Sequence, residues 1–133
     1  MNYSDKEITL FFNPAKMADR ATLAYSKTME YKIQDIDVSQ QPMSPTILTM
    51  IAEKLNLSPK ELVDKDSDIY RSKYKDSEFD DNQSMTMITQ NHEFLKTPIA
   101  VSKDFAMYIK NPKDLLYMDK RKDSSNYKEN VSD

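Results

Sequence analysis

Residues 8–23 read Ile-Thr-Leu-Phe-Phe-Asn-Pro-Ala-Lys-Met-Ala-Asp-Arg-Ala-Thr-Leu, and this segment has the pattern of a strand, a tight loop and a helix. Ile8 to Phe12 is a short apolar run typical of a buried strand. Asn13-Pro14 interrupts the run, and apolar residues then recur at helical spacing from Ala18 to Met29. Residues 31–36 alternate between polar and apolar, as in a half-buried strand. Strand, helix and strand within about 30 residues predict a βαβ unit with parallel strands and a right-handed crossover.

The middle of the chain predicts helices with recognisable starts. Ser44-Pro45 is the pattern of an N-cap followed by proline at the first helical position, and this helix extends to Leu55. Asn56 stands where a helix often ends on glycine, so we expect it to have a positive φ. Capping-box patterns at residues 58–61 and 80–83 predict two further helix starts.

The second half predicts a hairpin and a final helix. The polar stretch 65–77 is expected to be a loop with one helical turn. Ile99 to Val101 and Phe105 to Ile109 flank a short polar turn, which predicts an antiparallel hairpin. Asn111-Pro112 then has the pattern of an N-cap with proline at the first position of the last helix.

Composition indicates one globular domain with a heavily charged surface. The 133 residues are 38% hydrophobic and 31% charged, with a net charge of −3. We expect one domain over residues 1–119 and a polar, disordered tail over residues 120–133. The net charge offers no general attraction to nucleic acid, so specific nucleic-acid binding is not expected.

Two residue types are missing, and each absence excludes a class of chemistry. The chain contains no cysteine, so it cannot perform thiol chemistry, which needs a thiolate. It contains no glycine, which excludes the glycine-rich loops that cradle nucleotide phosphates. No apolar run approaches the roughly 20 residues of a membrane helix, and the first residues do not resemble a secretory signal. We therefore expect a cytoplasmic protein without a membrane partner.

Several segments carry a resemblance to a known family. They are Phe12-Asn13-Pro14, Arg20, Thr22-Leu23-Ala24, Leu55-Asn56-Leu57-Ser58-Pro59-Lys60-Glu61-Leu62, Thr97-Pro98-Ile99 and Asn111-Pro112. In this order and spacing, across residues 8–119, the chain resembles the glutaredoxin-linked arsenate reductases and the related Spx-type transcription regulators. The resemblance implies an α/β, thioredoxin-like fold of the arsenate-reductase subfamily. Its short mixed sheet would have βαβ and ββα halves with a helical insertion between them, and the Thr97–Pro98 bond would be cis.

The same resemblance shows what chemistry has been lost. The reactive cysteine of the arsenate reductases falls at Lys16, and the second cysteine of the Spx-type C-x-x-C switch falls at Asp19. The family's oxyanion-binding arginines align with Asp64, Thr97 and Asn111. Arsenate reduction is therefore not expected, and no cofactor is expected either. The degenerate active-site loop would comprise Asn13, Pro14, Lys16, Met17, Asp19 and Arg20.

Two functional hypotheses follow from this loss. The first is a redox-inactive, non-catalytic module that binds a protein partner, as the Spx-type relatives bind RNA polymerase. The second is a binder of small anions or other small molecules, or an unrecognised enzyme, at the Lys16 loop, where a helix N-terminus offers free N–H groups and a positive dipole end. The simpler alternative is that Lys16 is a solvated surface lysine. Met17, with Phe12 and Pro98, could form a small apolar docking patch, or it could simply pack locally.

Metal-ligating patterns are weak in this sequence. His92 is the only histidine, and Glu93 beside it is not enough to form a site. The acidic clusters at residues 64–68 and 80–81 lack the glycine and the distal glutamate of a calcium loop. We therefore interpret them as helix caps and a solvated loop, and we expect no metal site.

Overall fold

The computed structural model describes residues 7–121, with side chains described up to residue 118. The sheet has four strands in the order β2-β1-β3-β4. Residues 122–133 of the predicted tail lie outside the described residues.

The N-terminal half is the predicted βαβ unit. Strand β1 (Glu7–Phe12) and strand β2 (Lys32–Asp37) are parallel, and helix α1 (Met17–Ser26) connects them. The prediction that α1 continues to Met29 was wrong. Past Ser26 the backbone tightens into i→i−3 turns, in which the N–H groups of residues 27–29 donate to the carbonyls of residues 24–26. The hydroxyls of Ser26 and Thr28 add bonds to the carbonyls of Leu23 and Tyr25.

The C-terminal half contains the predicted hairpin. Strand β3 (Ile99–Val101) is antiparallel to β1, and strand β4 (Ala106–Tyr108) is antiparallel to β3. Strand β4 begins one residue later than predicted because Phe105 belongs to the turn. Its N–H donates to the Ser102 hydroxyl, and its carbonyl accepts from the Ser102 N–H.

The insertion between the two halves is helical. It contains three α-helices, α2 (Pro45–Leu55), α3 (Asp68–Lys73) and α4 (Asp81–Gln90). A 3₁₀ helix (Pro59–Leu62) follows α2, and a 3₁₀ turn (His92–Phe94) follows α4. The predicted starts of α2 and α4 are confirmed, since Ser44 accepts from the N–H of Ile47 and Asp80 from that of Gln83.

At two predicted helix starts the chain first forms a 3₁₀ helix instead of an α-helix. The capping box at Ser58 is present, but the chain becomes extended again at Val63. Val63 forms an antiparallel β-bridge with Leu95. This pairing requires an extended backbone at Val63, so the helix that the capping box starts cannot continue through it. The Asn111 box likewise opens a 3₁₀ helix, Pro112–Leu115, which is followed by α5 (Leu116–Arg121).

The core lies on both faces of the sheet. Successive side chains of β1 point to opposite faces, so Phe11 packs into the cluster beneath the helical insertion. Ile8 and Leu10 pack into a second cluster with Leu115 and Met118. Because core clusters cover both faces of the sheet, the end of β1 is held firmly in place. The loop after β1 therefore begins from a fixed position.

Candidate functional site

The loop between β1 and α1 is held in place by its own polar residues. Asn13 and Asp19 are both buried, and the Asp19 carboxylate accepts the Asn13 N–H at 2.8 Å. The Asn13 side-chain oxygen accepts the N–H of Ala15 at 3.0 Å, and the Arg20 guanidinium donates to the Pro14 carbonyl at 2.7 Å. The loop therefore closes on itself without glycine.

The side chain of Lys16 points from this loop to two distant residues. Its Nζ lies 3.6 Å from Oδ2 of Asp64 and donates to Oγ1 of Thr97 at 3.3 Å. The Lys16 side chain is 33% exposed and that of Asp64 18%, so the pair is half-buried. The Thr97–Pro98 bond is cis. The structure thus brings together three of the residues singled out in the sequence.

The backbone around Asp64 fixes the position of its carboxylate. The Asp64 N–H donates to the Phe94 carbonyl at 2.7 Å, which ties this segment to the 3₁₀ turn before β3. Its Oδ1 accepts the N–H of Asp66 at 3.0 Å, while Oδ2 faces Lys16. Asp64 is therefore preorganised to neutralise Lys16.

Tyr108 adds a buried hydroxyl to this region. Burial raises its pKa above the ordinary range, and the negative charges of Asp64 and Glu61 raise it further. The Tyr108 hydroxyl is buried and has no hydrogen-bond partner within the described part of the chain. Tyr108 is therefore neutral at any ordinary pH.

The N-terminus of α1 is poorly suited to a second anion. Lys16 is the N-cap residue, and its side chain makes no capping bond. Asp19 already places a carboxylate in the first turn, where it complements the positive end of the helix dipole. The ammonium of Lys16, which would supplement this end, faces Asp64 instead.

Met17 is an exposed large apolar residue at the start of α1. Its side chain is 77% exposed, whereas Phe12 and Pro98 are both buried. Of the three apolar residues expected to form a docking patch, Met17 is the one that is exposed at the surface. It is the first residue of α1.

Other residues singled out in the sequence have local roles. Asn111 accepts the N–H of Lys113 and caps the 3₁₀ helix that follows. Asp80 caps α4, and Asp68 makes an exposed ion pair with Arg71. Within residues 7–121, no group of three histidines or carboxylates is placed to hold a metal ion.

Two features of the site escaped the sequence reading. The first is the pairing of Lys16 with Asp64. The resemblance gave only a hint of it, because it places a cation where the acidic Asp64 stands and a nucleophile where the basic Lys16 stands. The second is the buried hydroxyl of Tyr108, for which the sequence gives no signal beyond a tyrosine in a short strand.

Comparisons with known proteins identify the fold. No protein-family model and no curated protein sequence matches the chain. A solved arsenate reductase from Vibrio cholerae superposes with a TM-score of 0.75 at 19% identity, covering 85% of this chain and 98% of its own. A candidate arsenate reductase from Yersinia pestis gives 0.75 at 22% identity, covering 83% and 98%. An arsenate-reductase-related protein from Brucella melitensis gives 0.57 at 15% identity, covering 87% and 97%.

None of the helices in the described part of the chain is long and apolar enough to cross a membrane. The solved structures match in topology along nearly their whole length, and the predicted mixed sheet with its helical insertion is confirmed. The chain therefore has the thioredoxin-like fold of the arsenate reductases, in a sequence that contains no cysteine.

Proposed function

We propose that this chain is a non-catalytic, protein-binding or regulatory module built on the arsenate-reductase fold. The observation that carries the proposal is the Lys16–Asp64 ion pair with its hydrogen bond to Thr97. By the resemblance, these three residues stand at the positions of the nucleophile and two oxyanion-binding arginines. An internal pair of opposite charges now occupies the place where a nucleophile would meet an anionic substrate.

The binding of a small anion has less support. An anion entering beside Lys16 would meet the Asp64 carboxylate, which repels it at short range. Arg20 cannot easily take over, because its guanidinium donates to the carbonyl of Pro14. A partly exposed ion pair contributes only about 0.2–1 kcal/mol, so an anion would need to gain little more than this to displace Asp64 from Lys16. A titration with anions tests this directly.

A protein partner is supported by the position of Met17. Its flexible, polarizable side chain is suited to adaptable contacts, and it projects from a loop that the buried Asn13 and Asp19 hold in place. Contact residues presented by loops on rigid supports are common in binding proteins.

The proposal is tested by two measurements on the purified chain. Glutathione-dependent arsenate reduction should be absent, and any turnover above a protein-free blank overturns the non-catalytic assignment. In affinity capture, Met17→Asp should abolish retention of a specific protein that the wild type retains. Leu116→Asp, a matched change at another exposed apolar residue, should leave retention intact. If both variants retain the same proteins as the wild type, Met17 does not carry the contact.

A further inference from the structure

A cavity of about 420 Å³ lies at the helical insertion. Its lining does not include Lys16, although Val63 and Lys65 are the sequence neighbours of Asp64. Its volume falls in the lower part of the roughly 300–1,000 Å³ range of small-ligand pockets. The apolar part of its wall comes from Val63, Tyr70 and Phe79. Val63 and Tyr70 are buried, and Phe79 packs against the same core cluster, so this wall is backed by the core.

Ser84 adds a hydroxyl to the wall of the cavity. It lies in the second turn of α4, lines the cavity and is only 2% exposed. Among the described residues, the buried side-chain atoms that lack a hydrogen-bond partner belong to Thr9 and Tyr108, so the Ser84 hydroxyl is not an orphaned buried group. Because Ser84 lines the cavity, its hydroxyl can bond to a polar group of a ligand.

The rim carries charges of both signs. Lys65 and Lys96 contribute ammonium groups, and Asp66 and Glu78 contribute carboxylates. The ion pairs found among the described residues involve none of these four side chains, but the Lys96 ammonium lies over the Tyr108 ring, 5.2 Å from its centroid. Lys65, Asp66 and Glu78 are therefore the charges of both signs that remain available to a ligand that carries both.

We propose that this cavity binds a small zwitterion with an apolar side chain, which is the chemistry of a free apolar amino acid. The ligand's carboxylate would meet a rim lysine, its ammonium would meet a rim carboxylate, and its side chain would lie against Tyr70 and Phe79. The Ser84 hydroxyl would bond to one of the two charged ends. This inference is independent of the partner-binding function proposed above, since it uses neither Met17 nor Lys16.

Three isosteric probes test the proposal on the full-length, isotope-labelled chain. They are L-phenylalanine, 3-phenylpropionate, which lacks the ammonium group, and phenethylamine, which lacks the carboxylate. Titration followed by amide NMR should give saturable shifts at Val63, Tyr70 and Ser84 with L-phenylalanine. Removal of either charge should weaken binding by about two- to fivefold, the scale of a partly exposed ion pair.

Matched variants localise the site. Glu78→Gln and Lys65→Gln should each weaken L-phenylalanine binding about two- to fivefold. The same changes at exposed residues that do not line the cavity, Glu30→Gln and Lys110→Gln, should leave it unchanged. Absence of saturable shifts at millimolar L-phenylalanine overturns the proposal. Equal binding of 3-phenylpropionate or of phenethylamine also overturns it, because the cavity would then select a single charge.

Discussion

The ammonium nitrogen of Lys16 lies 3.6 Å from a carboxylate oxygen of Asp64, so two residues far apart in the sequence form a half-buried ion pair. Lys16 comes from the loop before α1, and Asp64 follows the 3₁₀ helix Pro59–Leu62 of the insertion. The pair therefore links the βαβ unit to the insertion. By the resemblance, these are positions of a nucleophile and a cation in the arsenate reductases, and here they form a contact between opposite charges.

The energetic coupling of Lys16 and Asp64 can be measured with a double-mutant cycle. Lys16→Met, Asp64→Asn and the double variant should give a coupling of about 0.2–1 kcal/mol in urea unfolding, decreasing with added salt. The more exposed pair Lys27–Asp35, with 53% and 43% of its side chains accessible, should give a smaller value. A larger coupling at the control pair would show that the Lys16 contact is not held in solution.

A cysteine introduced at position 16 would report the local electrostatics directly. The chain has no other cysteine, so the thiolate absorbance of a Lys16→Cys variant has a single source. The N-terminus of α1 should lower the thiol pKa, whereas Asp64 should raise it. Lys16→Cys combined with Asp64→Asn should therefore titrate at lower pH than Lys16→Cys alone. Identical titration curves would place Asp64 away from position 16.

The buried carboxylate of Asp19 should be important for stability. It accepts the N–H of Asn13, which is itself buried, so Asp19→Ala leaves that donor without its partner. We expect a loss of about 1–3 kcal/mol in the free energy of unfolding. Asp68→Ala, which removes a fully exposed first-turn carboxylate from α3, is the control and should cost well under 1 kcal/mol. Similar losses of stability in the two variants would show that the hydrogen bond from Asn13 to Asp19 does not stabilise the loop.

Tyr108 predicts a pH dependence in the alkaline range. Burial, Asp64 and Glu61 raise its folded-state pKa above the ordinary value of about 10. The folded state therefore favours the protonated phenol: its contribution to stability is complete below the unfolded pKa and is lost as pH rises above it. The free energy of unfolding of the wild type, relative to Tyr108→Phe, should fall between about pH 9 and pH 11. A constant difference across that range would mean that the hydroxyl is accessible to water.

Part of this structure could be predicted from local sequence, and part could not. Asn56 has φ 60°, as expected for a residue that ends a helix in a chain without glycine. The start of α4 followed from a capping box, which acts within one turn. By contrast, the similar box at Ser58 opens only a 3₁₀ helix because Val63 bridges to Leu95, a contact between distant segments.

The same distinction applies to the candidate site. The resemblance identified Lys16, Asp64 and Thr97 separately, as positions where chemistry had been lost. It could not show that they contact each other, because side-chain contacts between distant segments depend on the tertiary fold. Asn111, singled out on the same basis, is used as a local cap.

An amide NMR titration of the labelled chain with phosphate and with arsenate tests whether the Lys16–Asp64 pair leaves room for an anion. Residues 14–21 and 97–99 are the ones to follow, since they surround Lys16 and Thr97. If the ion pair with Asp64 closes the site to anions, no saturable shifts should occur in these segments at millimolar concentrations of either anion. Saturable shifts confined to these segments would contradict the account, and would show that the anion site has survived the loss of cysteine.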